Sequence, residues 1–295
     1  MKSNSARLRL SGSATLLLLL PLAIQAQPTA HYCPGVEGLT AASVPPPGIY
    51  ARDYNYFYTA SRLNGPSGQS EVANFNAFTY ANVPRIIWIS KVKFLGADVG
   101  CDALLPLVDE NVRAGSYNSS TFGVGDLLVS GILAWHPQRF DFVLCDGVWM
   151  PTGDSAAPLT TRAGKGYWAD MLTAGGTWYM DAAKTWSVSA LNRYEFNGEQ
   201  RDTHITTGDA YTLEWGIGKT FANKMNAGVA GYYQQKITAD SGANANYNRV
   251  ASVGPEVGGV IPKIDVLVAV RCEYEFVAEN RARGETIDLT LTKRF

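Results

Sequence analysis

The sequence is poor in charged residues, in histidine and in long apolar runs. Of its 295 residues 17% are charged, 3 are histidine and 4 are cysteine, and 25 basic residues face 26 acidic ones for a net charge of −1. A chain without a basic surplus has no excess positive charge to neutralise phosphates, which argues against a nucleic-acid-binding protein. No stretch reaches the roughly 20 apolar residues of a membrane-spanning helix, so a multipass helical protein is also excluded.

Apolar, aromatic and glycine residues are abundant instead. The chain is 46% hydrophobic and contains 29 Gly, 15 Tyr, 11 Phe and 7 Trp. Disordered chains have the opposite composition, so this one is expected to fold. Two classes remain: a secreted β protein and an outer-membrane β-barrel.

The first 26 residues have the organisation of a secretory signal peptide. Lys2, Arg7 and Arg9 precede an apolar run at 16–24, and the small residue Ala26 follows it. The run is too short for a transmembrane helix, and the order basic, apolar, small is that of an exported precursor. We predict cleavage after Ala26, which removes three positive charges and leaves a more acidic mature chain.

Beyond an irregular stretch at 27–47, apolar residues recur at almost every second position. The alternation is cleanest at 211–221, 264–276 and 287–295. It gives each strand one apolar and one polar face. Because bacterial barrels use even strand numbers, we predict about 12 strands, in the range 10–14. Their centres lie near 54, 76, 88, 102, 128, 144, 172, 188, 215, 231, 253 and 270, with 286–295 as a thirteenth candidate.

Three features favour a barrel in lipid over a water-soluble sandwich. Aromatic residues cluster at probable strand ends, as the two interfacial girdles of a barrel require. Charges of both signs lie on the polar strand faces, and the chain stops at Phe295. A terminal Phe resembles the signal that the barrel assembly machinery reads. We therefore predict an all-β fold: a transmembrane antiparallel β-barrel over 48–295, preceded by an irregular lead or plug segment at 27–47.

Several segments together resemble a known family. In chain order they are His31–Gly38, Pro45–Gly48, Arg52–Asn55, Val83–Arg85, Gly96–Asp98, Gly125–Leu127, Pro151–Asp154, Gly231–Gln235, Asp240–Gly242, Val253–Glu256 and the closing strand to Phe295. Their order is similar to that of the outer-membrane family labelled as transporter of the meta pathway of phenol degradation. The resemblance implies an outer-membrane barrel that admits aromatic or other hydrophobic small molecules, and it brings no catalytic or ligand residues with it.

Charged residues on the polar faces are the candidate site residues. Opposed Arg and Glu side chains in a narrow lumen can set a transverse field that selects permeants, or can hold the wall together. Both roles remain open at this point. The charged residues at strand positions that alternate with the apolar ones, and so would face the lumen, are Arg193, Glu195, Glu214, Arg271, Glu273, Glu275 and Asp288.

The cysteines and histidines show no metal or catalytic spacing. No CxxC pair and no Gly-x-Ser-x-Gly turn is present, so we predict no metal, no cofactor and no catalytic residue. Export permits disulfides. Cys33 could pair with Cys101 or Cys145, or all could be free; Cys272 is expected to face lipid as a free thiol.

The sequence thus predicts passive uptake of small hydrophobic or aromatic solutes across the outer membrane of a Gram-negative bacterium. Its expected partners are outer-membrane lipid, the assembly machinery and these solutes, and no nucleic acid. Two rivals are an outer-membrane enzyme such as an acyl hydrolase, which would use His136 or His204, and a secreted lipocalin-like binding protein.

Overall fold

A computed structural model describes residues 30–156, 161–242 and 247–295. The predicted signal peptide lies outside these ranges. No helix within them is long and apolar enough to cross a membrane. They contain fourteen strands: β1 (Gly48–Asn64), β2 (Asn76–Phe94), β3 (Ala97–Leu104), β4 (Leu107–Ala114), β5 (Tyr117–Val124), β6 (Leu127–Trp135), β7 (Phe140–Met150), β8 (Ala169–Tyr179), β9 (Trp186–Asn197), β10 (Ala210–Thr220), β11 (Asn226–Lys236), β12 (Arg249–Ile261), β13 (Val266–Glu279) and β14 (Arg281–Arg294).

Twelve of these strands close into one antiparallel barrel. β1 pairs with β14 on one side, from Tyr50↔Arg294 to Asn64↔Arg281, and with β2 on the other, so the sheet has no free edge at the chain ends. The order then runs from β2 through β3 and β6 to β14. Closure gives every wall strand a hydrogen-bonded neighbour on both sides, which a strand in lipid requires because lipid offers no partner to backbone N–H and C=O groups. The predicted 12-stranded all-β barrel is confirmed.

The remaining strands, β4 and β5, form a ribbon that extends the barrel wall at one end. β2 pairs with β3 through its Arg85–Phe94 half and with β4 through its Asn76–Asn82 half. The two halves meet at Pro84, opposite Leu105 and Pro106, where proline lacks the N–H that a regular ladder uses. β5 and β6 are separated at the same level by Gly125 and Asp126, and the Gly125 amide donates to the Pro106 carbonyl (2.7 Å).

Two details of the predicted strand pattern are wrong. The segments near 76 and 88 belong to one long strand, because β2 pairs with β1 without a break through Pro84 and changes its partner only on the other side. The ribbon strands β4 and β5 were not predicted, since their alternation is weak and 115–120 reads as a loop. The final segment at 286–295 takes the twelfth place in the barrel, as β14.

The apolar faces of the strands point outward and the polar faces point into the barrel, as in a membrane barrel. On β13 and β14 the residues Tyr274, Phe276 and Ile287 are about half exposed on the outer surface (48%, 51% and 52%), whereas Glu275 and Asp288 are buried inside (1% each). This arrangement reverses that of a water-soluble protein and gives an apolar outer band. It decides against the lipocalin-like rival.

The two ends of the barrel differ in loop length. Short connections at 95–96, 136–139, 180–185, 221–225 and 262–265 lie at the end that also holds Gly48 and Phe295. Longer ones at 151–168, 198–209 and 237–248 lie at the other end. Short turns face the periplasm and long loops the outside in bacterial barrels, which orients the molecule.

Residues 30–47, called the lumen segment below, lie inside the barrel before β1. Tyr32, Leu39 and Ala42 of this segment are buried at 9% exposure or less. Leu39 lies against Gly216, Gly218 and Gly228, whose missing side chains make room for it.

All four cysteines are free. A disulfide from Cys33 to Cys101 or Cys145 is not formed. Cys101 lies on the outer surface, opposite Trp88 and Gly131, so the barrel wall separates it from Cys33. Cys145 lines the same internal space as Cys33 but does not bond to it. Cys272 is exposed on the outer face of β13.

Candidate functional site

The lumen segment runs through the barrel from its extracellular half to its periplasmic end. His31 contacts Asp126 and Glu195 near the long loops, and Pro45–Pro47 ends beside the start of β1. There the carbonyl oxygen of Pro46 accepts from Tyr50 Oη (2.7 Å) and that of Pro47 from Arg294 Nη2 (2.9 Å). Three successive prolines lack N–H donors and favour an extended path.

Wall carboxylates hold the segment mainly by its backbone N–H groups. Glu195 accepts from the amides of His31 (2.6 Å) and Tyr32 (3.1 Å). Glu214 accepts from the amides of Gly35 (2.9 Å) and Glu37 (3.1 Å) and from the Tyr32 hydroxyl (2.6 Å). A buried amide without a partner is costly, and a carboxylate is the strongest neutral-pH acceptor for it.

Two glycines let the segment approach the wall closely. Gly35 and Gly38 have φ angles of 92° and 78°, in the left-handed region. A Cβ on Gly35 would lie 2.5 Å from Glu273 Oε2, and one on Gly38 would lie 2.0 Å from Glu256 Oε2, which accepts the Leu39 amide (3.1 Å). These positions need glycine for conformation and for space.

All seven charged residues singled out in the sequence are buried and point inward. Arg193 pairs with Glu214, lies over the Tyr32 ring (4.0 Å) and reaches Glu37 (3.4 Å). Arg271 donates to Glu256 (2.8 Å) and to the Gly35 carbonyl.

Glu273, Glu275 and Asp288 bond mainly within the wall, and Glu273 also lies close to Gly35. Glu275 accepts from Tyr232 Oη (2.8 Å), Tyr58 Oη (3.1 Å) and the Gly284 amide (2.6 Å). Glu273 accepts weakly from Thr286 (3.4 Å), and Asp288 lies 3.7 Å from Arg271. The seven residues therefore form one group that contacts the lumen segment and another that links neighbouring strands.

A cluster of arginines around Glu37 was not predicted. The Glu37 carboxylate lies 3.1 Å from Arg52, 2.9 Å from Arg85 and 3.4 Å from Arg193, and it also accepts from Tyr54 Oη (3.3 Å). Burial alone would raise its pKa, but the three guanidinium groups outweigh this and hold the pKa well below its ordinary value. Glu37, Arg52 and Arg85 all lie in segments that carry the family resemblance, which was the available signal.

His31 ties the extracellular end of the segment to both the wall and a long loop. Its Nδ1 lies 3.3 Å from Glu195 and its Nε2 3.1 Å from Asp126, and the ring stacks on Trp149 (centroids 5.3 Å apart). Burial lowers its pKa, but the two carboxylates more than compensate and raise it. Asp126 also accepts from the amides of Gly153 (2.9 Å) and Lys165 (2.6 Å), so it connects the 151–168 loop to the segment.

A cavity of about 270 Å³ lies between the lumen segment and a wall formed mainly by β2, β3, β6 and β7, and residues of β1, β4, β8 and β9 also border it. Arg52, Arg85 and Glu37 form one side of it, and Cys33 and Cys145 also border it. Most of its surface is apolar, with Val83, Ile87, Leu104, Leu128, Ile132 and Met171. Ligand sites are commonly apolar spaces of about 300–1,000 Å³ with a few polar groups, and the volume of this cavity lies just below that range.

Two other histidines contact carboxylates at the two ends of the barrel. His136 Nδ1 lies 3.0 Å from Asp141 in a periplasmic turn, and His204 Nδ1 lies 2.7 Å from Glu199 in an exposed extracellular loop. Phe295 is 74% exposed, with its amide bonded to the Ile49 carbonyl (2.9 Å). In the described part of the chain no cluster of three potential metal ligands occurs.

A closed barrel with an apolar outer band, a segment filling its lumen and a small off-axis cavity defines a transmembrane channel barrel of the bacterial outer membrane. Residues 60–291 match the family described as "MetA-pathway of phenol degradation". The chain belongs to this family, and the predicted resemblance is confirmed. None of the curated proteins compared with the chain matches it.

Solved structures share the fold at low sequence identity. An outer membrane channel from Pseudomonas putida F1 superposes with a TM-score of 0.75 at 12% identity, over 86% of this chain and 97% of that one. The β domain of the Bordetella autotransporter BrkA gives a TM-score of 0.54 at 11% identity, over 84% and 99%. At these identities the similarity concerns the fold alone.

Proposed function

We propose that this protein is a passive outer-membrane channel for small hydrophobic or aromatic compounds. The observation that carries the proposal is the cavity between the lumen segment and the β2, β3, β6 and β7 wall, which is apolar and about 270 Å³ in size. An apolar surface favours apolar solutes, because their transfer from water to such a surface lowers the free energy.

Family membership supports the same assignment. The family is named after a phenol degradation pathway, and the similar Pseudomonas putida protein is described as an outer membrane channel. Passive uptake requires only a path and a gradient, and binding in the cavity must be weak enough to allow release. The lumen segment excludes a wide aqueous pore, which favours a narrow route selective for small organic molecules.

Export and assembly complete the proposal. Cleavage after Ala26 would leave a mature chain in which the lumen segment follows after three residues. Phe295, exposed at the periplasmic end, is proposed as the residue that the assembly machinery recognises.

Liposomes containing the purified protein provide the test. Phenol-sized aromatics should enter much faster than sugars of similar mass, and cells with the protein should take up labelled phenols faster than cells without it. Equal passage of sugars and aromatics would refute the proposal.

The acyl hydrolase alternative is tested on the same preparations. Neither the wild type nor the variants His136→Ala and His204→Ala should hydrolyse lipid. Turnover that either substitution abolishes would make the protein an enzyme.

A further inference from the structure

The three arginines around Glu37 form a site that would accept a free carboxylate. Arg52 and Arg85 come from the wall strands β1 and β2, and Arg193 comes from β9. Only the carboxylate comes from the lumen segment. The cationic half of the site therefore belongs to the barrel, and the anionic half to a segment that crosses the barrel without being one of its strands.

The charges of this cluster balance one by one. Arg85 also pairs with Asp102, and Arg193 also pairs with Glu214, whereas Arg52 forms its ion pair with Glu37. Among these six residues there are three cations and three anions. Removal of the Glu37 carboxylate leaves one positive charge uncompensated, which a single monoanion would neutralise.

The cluster opens onto the cavity. Glu37, Arg52, Arg85 and Arg193 all border it, and the Arg52 and Arg85 side chains keep 20% and 16% of their surface exposed. The apolar surface of Val83, Ile87, Leu104 and Leu128 begins beside them. A flat ring could rest on that surface while a carboxylate on the ring reaches the guanidinium groups, which bind planar carboxylates well.

We propose that Glu37 occupies, in the closed channel, the binding site of an aromatic monocarboxylate, a benzoate-like anion that displaces it from Arg52, Arg85 and Arg193. This inference rests on the proposed uptake function and specifies an additional substrate class for the same cavity. The low pKa of Glu37 is consistent with it, because the site stabilises a carboxylate strongly in its ionised form.

Binding of radiolabelled benzoate and benzamide tests the proposal, since the two have nearly the same shape and differ in charge. The full-length mature protein is used in detergent, with empty micelles subtracted. Glu37→Gln removes the competing carboxylate and should strengthen benzoate binding about tenfold or more, with benzamide changed less than about threefold. Glu199→Gln is the control for loss of a carboxylate, because Glu199 is exposed in an extracellular loop and does not border the cavity, and it should leave both ligands unchanged.

Arg52 decides whether the gain comes from the arginine cluster. In the Glu37→Gln background, Arg52→Met should abolish the benzoate gain and Arg52→Lys should keep part of it. An unchanged ratio of benzoate to benzamide affinity in Glu37→Gln, or a gain that survives Arg52→Met, would overturn the proposal.

The failure of this inference is distinguishable from failure of the uptake proposal. If benzamide binds and crosses while benzoate gains nothing, the arginine site is wrong and the channel stands. If neither benzoate nor benzamide binds to any variant, both the arginine-site proposal and the uptake proposal are wrong. Should Glu37→Gln release the whole lumen segment, sugar influx into liposomes would rise, and the dependence of benzoate binding on Arg52 would still decide.

Discussion

The two halves of the lumen wall differ in what they contribute. The docking wall, formed by β9, β10, β12 and β13, carries Glu195, Glu214, Glu256 and Arg271, which bind the backbone of the lumen segment. The cavity wall, formed by β2, β3, β6 and β7, is largely apolar and leaves space beside the segment. The position of the segment is thus set mainly by hydrogen bonds from the docking wall, with Arg52, Arg85 and Asp126 as further contacts. Room for a solute remains beside the cavity wall.

The difference has an energetic basis. Buried charges are stabilising only while their partners are present, so the docking wall should tolerate little change. The cavity wall has unfilled volume, so moderate changes in side-chain size should affect passage more than stability. Four substitutions test this contrast, from the largest expected effect to the smallest.

Glu214→Ala should have the largest effect. It leaves Arg193 with only its weaker Glu37 partner and removes the acceptor of two amides and of Tyr32 Oη. A loss of about 3–5 kcal/mol is expected, because a buried charge loses its partner. Urea unfolding in detergent measures the loss, and sugar influx into liposomes should rise as the segment detaches. A variant as stable and as tight to sugars as the wild type would contradict a docking role for this wall.

Gly38→Ala should come next, with a cost of about 2–4 kcal/mol. The added Cβ meets Glu256 at 2.0 Å, and the residue has a φ of 78°. Gly115→Ala is the matched control, since Gly115 has a φ of 60° but open space around its Cβ, and it should cost about 1 kcal/mol. Comparable unfolding midpoints for the two variants would mean that close contact with the wall is unimportant.

His31→Gln should change the pH dependence of sugar exclusion. Because Glu195 and Asp126 raise the pKa of His31, its protonated form favours the docked segment. This contribution is complete below about pH 6.5 and is lost as the pH rises through the higher folded-state value. Wild-type liposomes should therefore become leakier to sugars between neutral and alkaline pH.

The leak of His31→Gln should not vary over this pH range, and the exposed His204→Gln should behave as the wild type. Leakage of the wild type that grows on acidification instead would reverse the assigned sign.

Ile132→Phe should have the smallest effect on stability and a clear effect on transport. Ile132 borders the cavity, and a larger ring can occupy the empty volume, so unfolding should shift by less than about 1.5 kcal/mol. Aromatic uptake should fall several-fold. If uptake stays at the wild-type rate, the solutes do not pass beside the cavity wall.

Much of the fold followed from local patterns. The alternation at 264–276 and 287–295 predicts two-faced strands, and the outer exposure of Tyr274 and Ile287 agrees with it. The parity argument also placed Arg193 and Glu214 inside, where they lie. The merged strand β2 and the β4–β5 ribbon were missed, because whether a proline ends a strand depends on which neighbour pairs beside it.

The site was less accessible to sequence reasoning. Glu37 lies in an irregular segment with no periodicity to orient it, and its three arginine partners are 15, 48 and 156 positions away. The same holds for His31 and Asp126, which are separated by 95 residues. Spacing within one strand indicates a face, but it contains no information on which distant side chains meet across a lumen.

By itself the sequence determined the two-residue period of the strands and the separation of apolar and charged residues onto opposite faces, because these depend on side-chain parity along each strand. The aromatic clusters and the charges of both signs on the polar faces then favoured an apolar face toward lipid. Only the tertiary structure decided that carboxylates on one side of the barrel bind the backbone of the lumen segment. It also decided that the cavity lies on the other side. The physical reason is that closure of the sheet fixes which strands face each other across the lumen, where several of the chain's few charged residues meet in buried pairs.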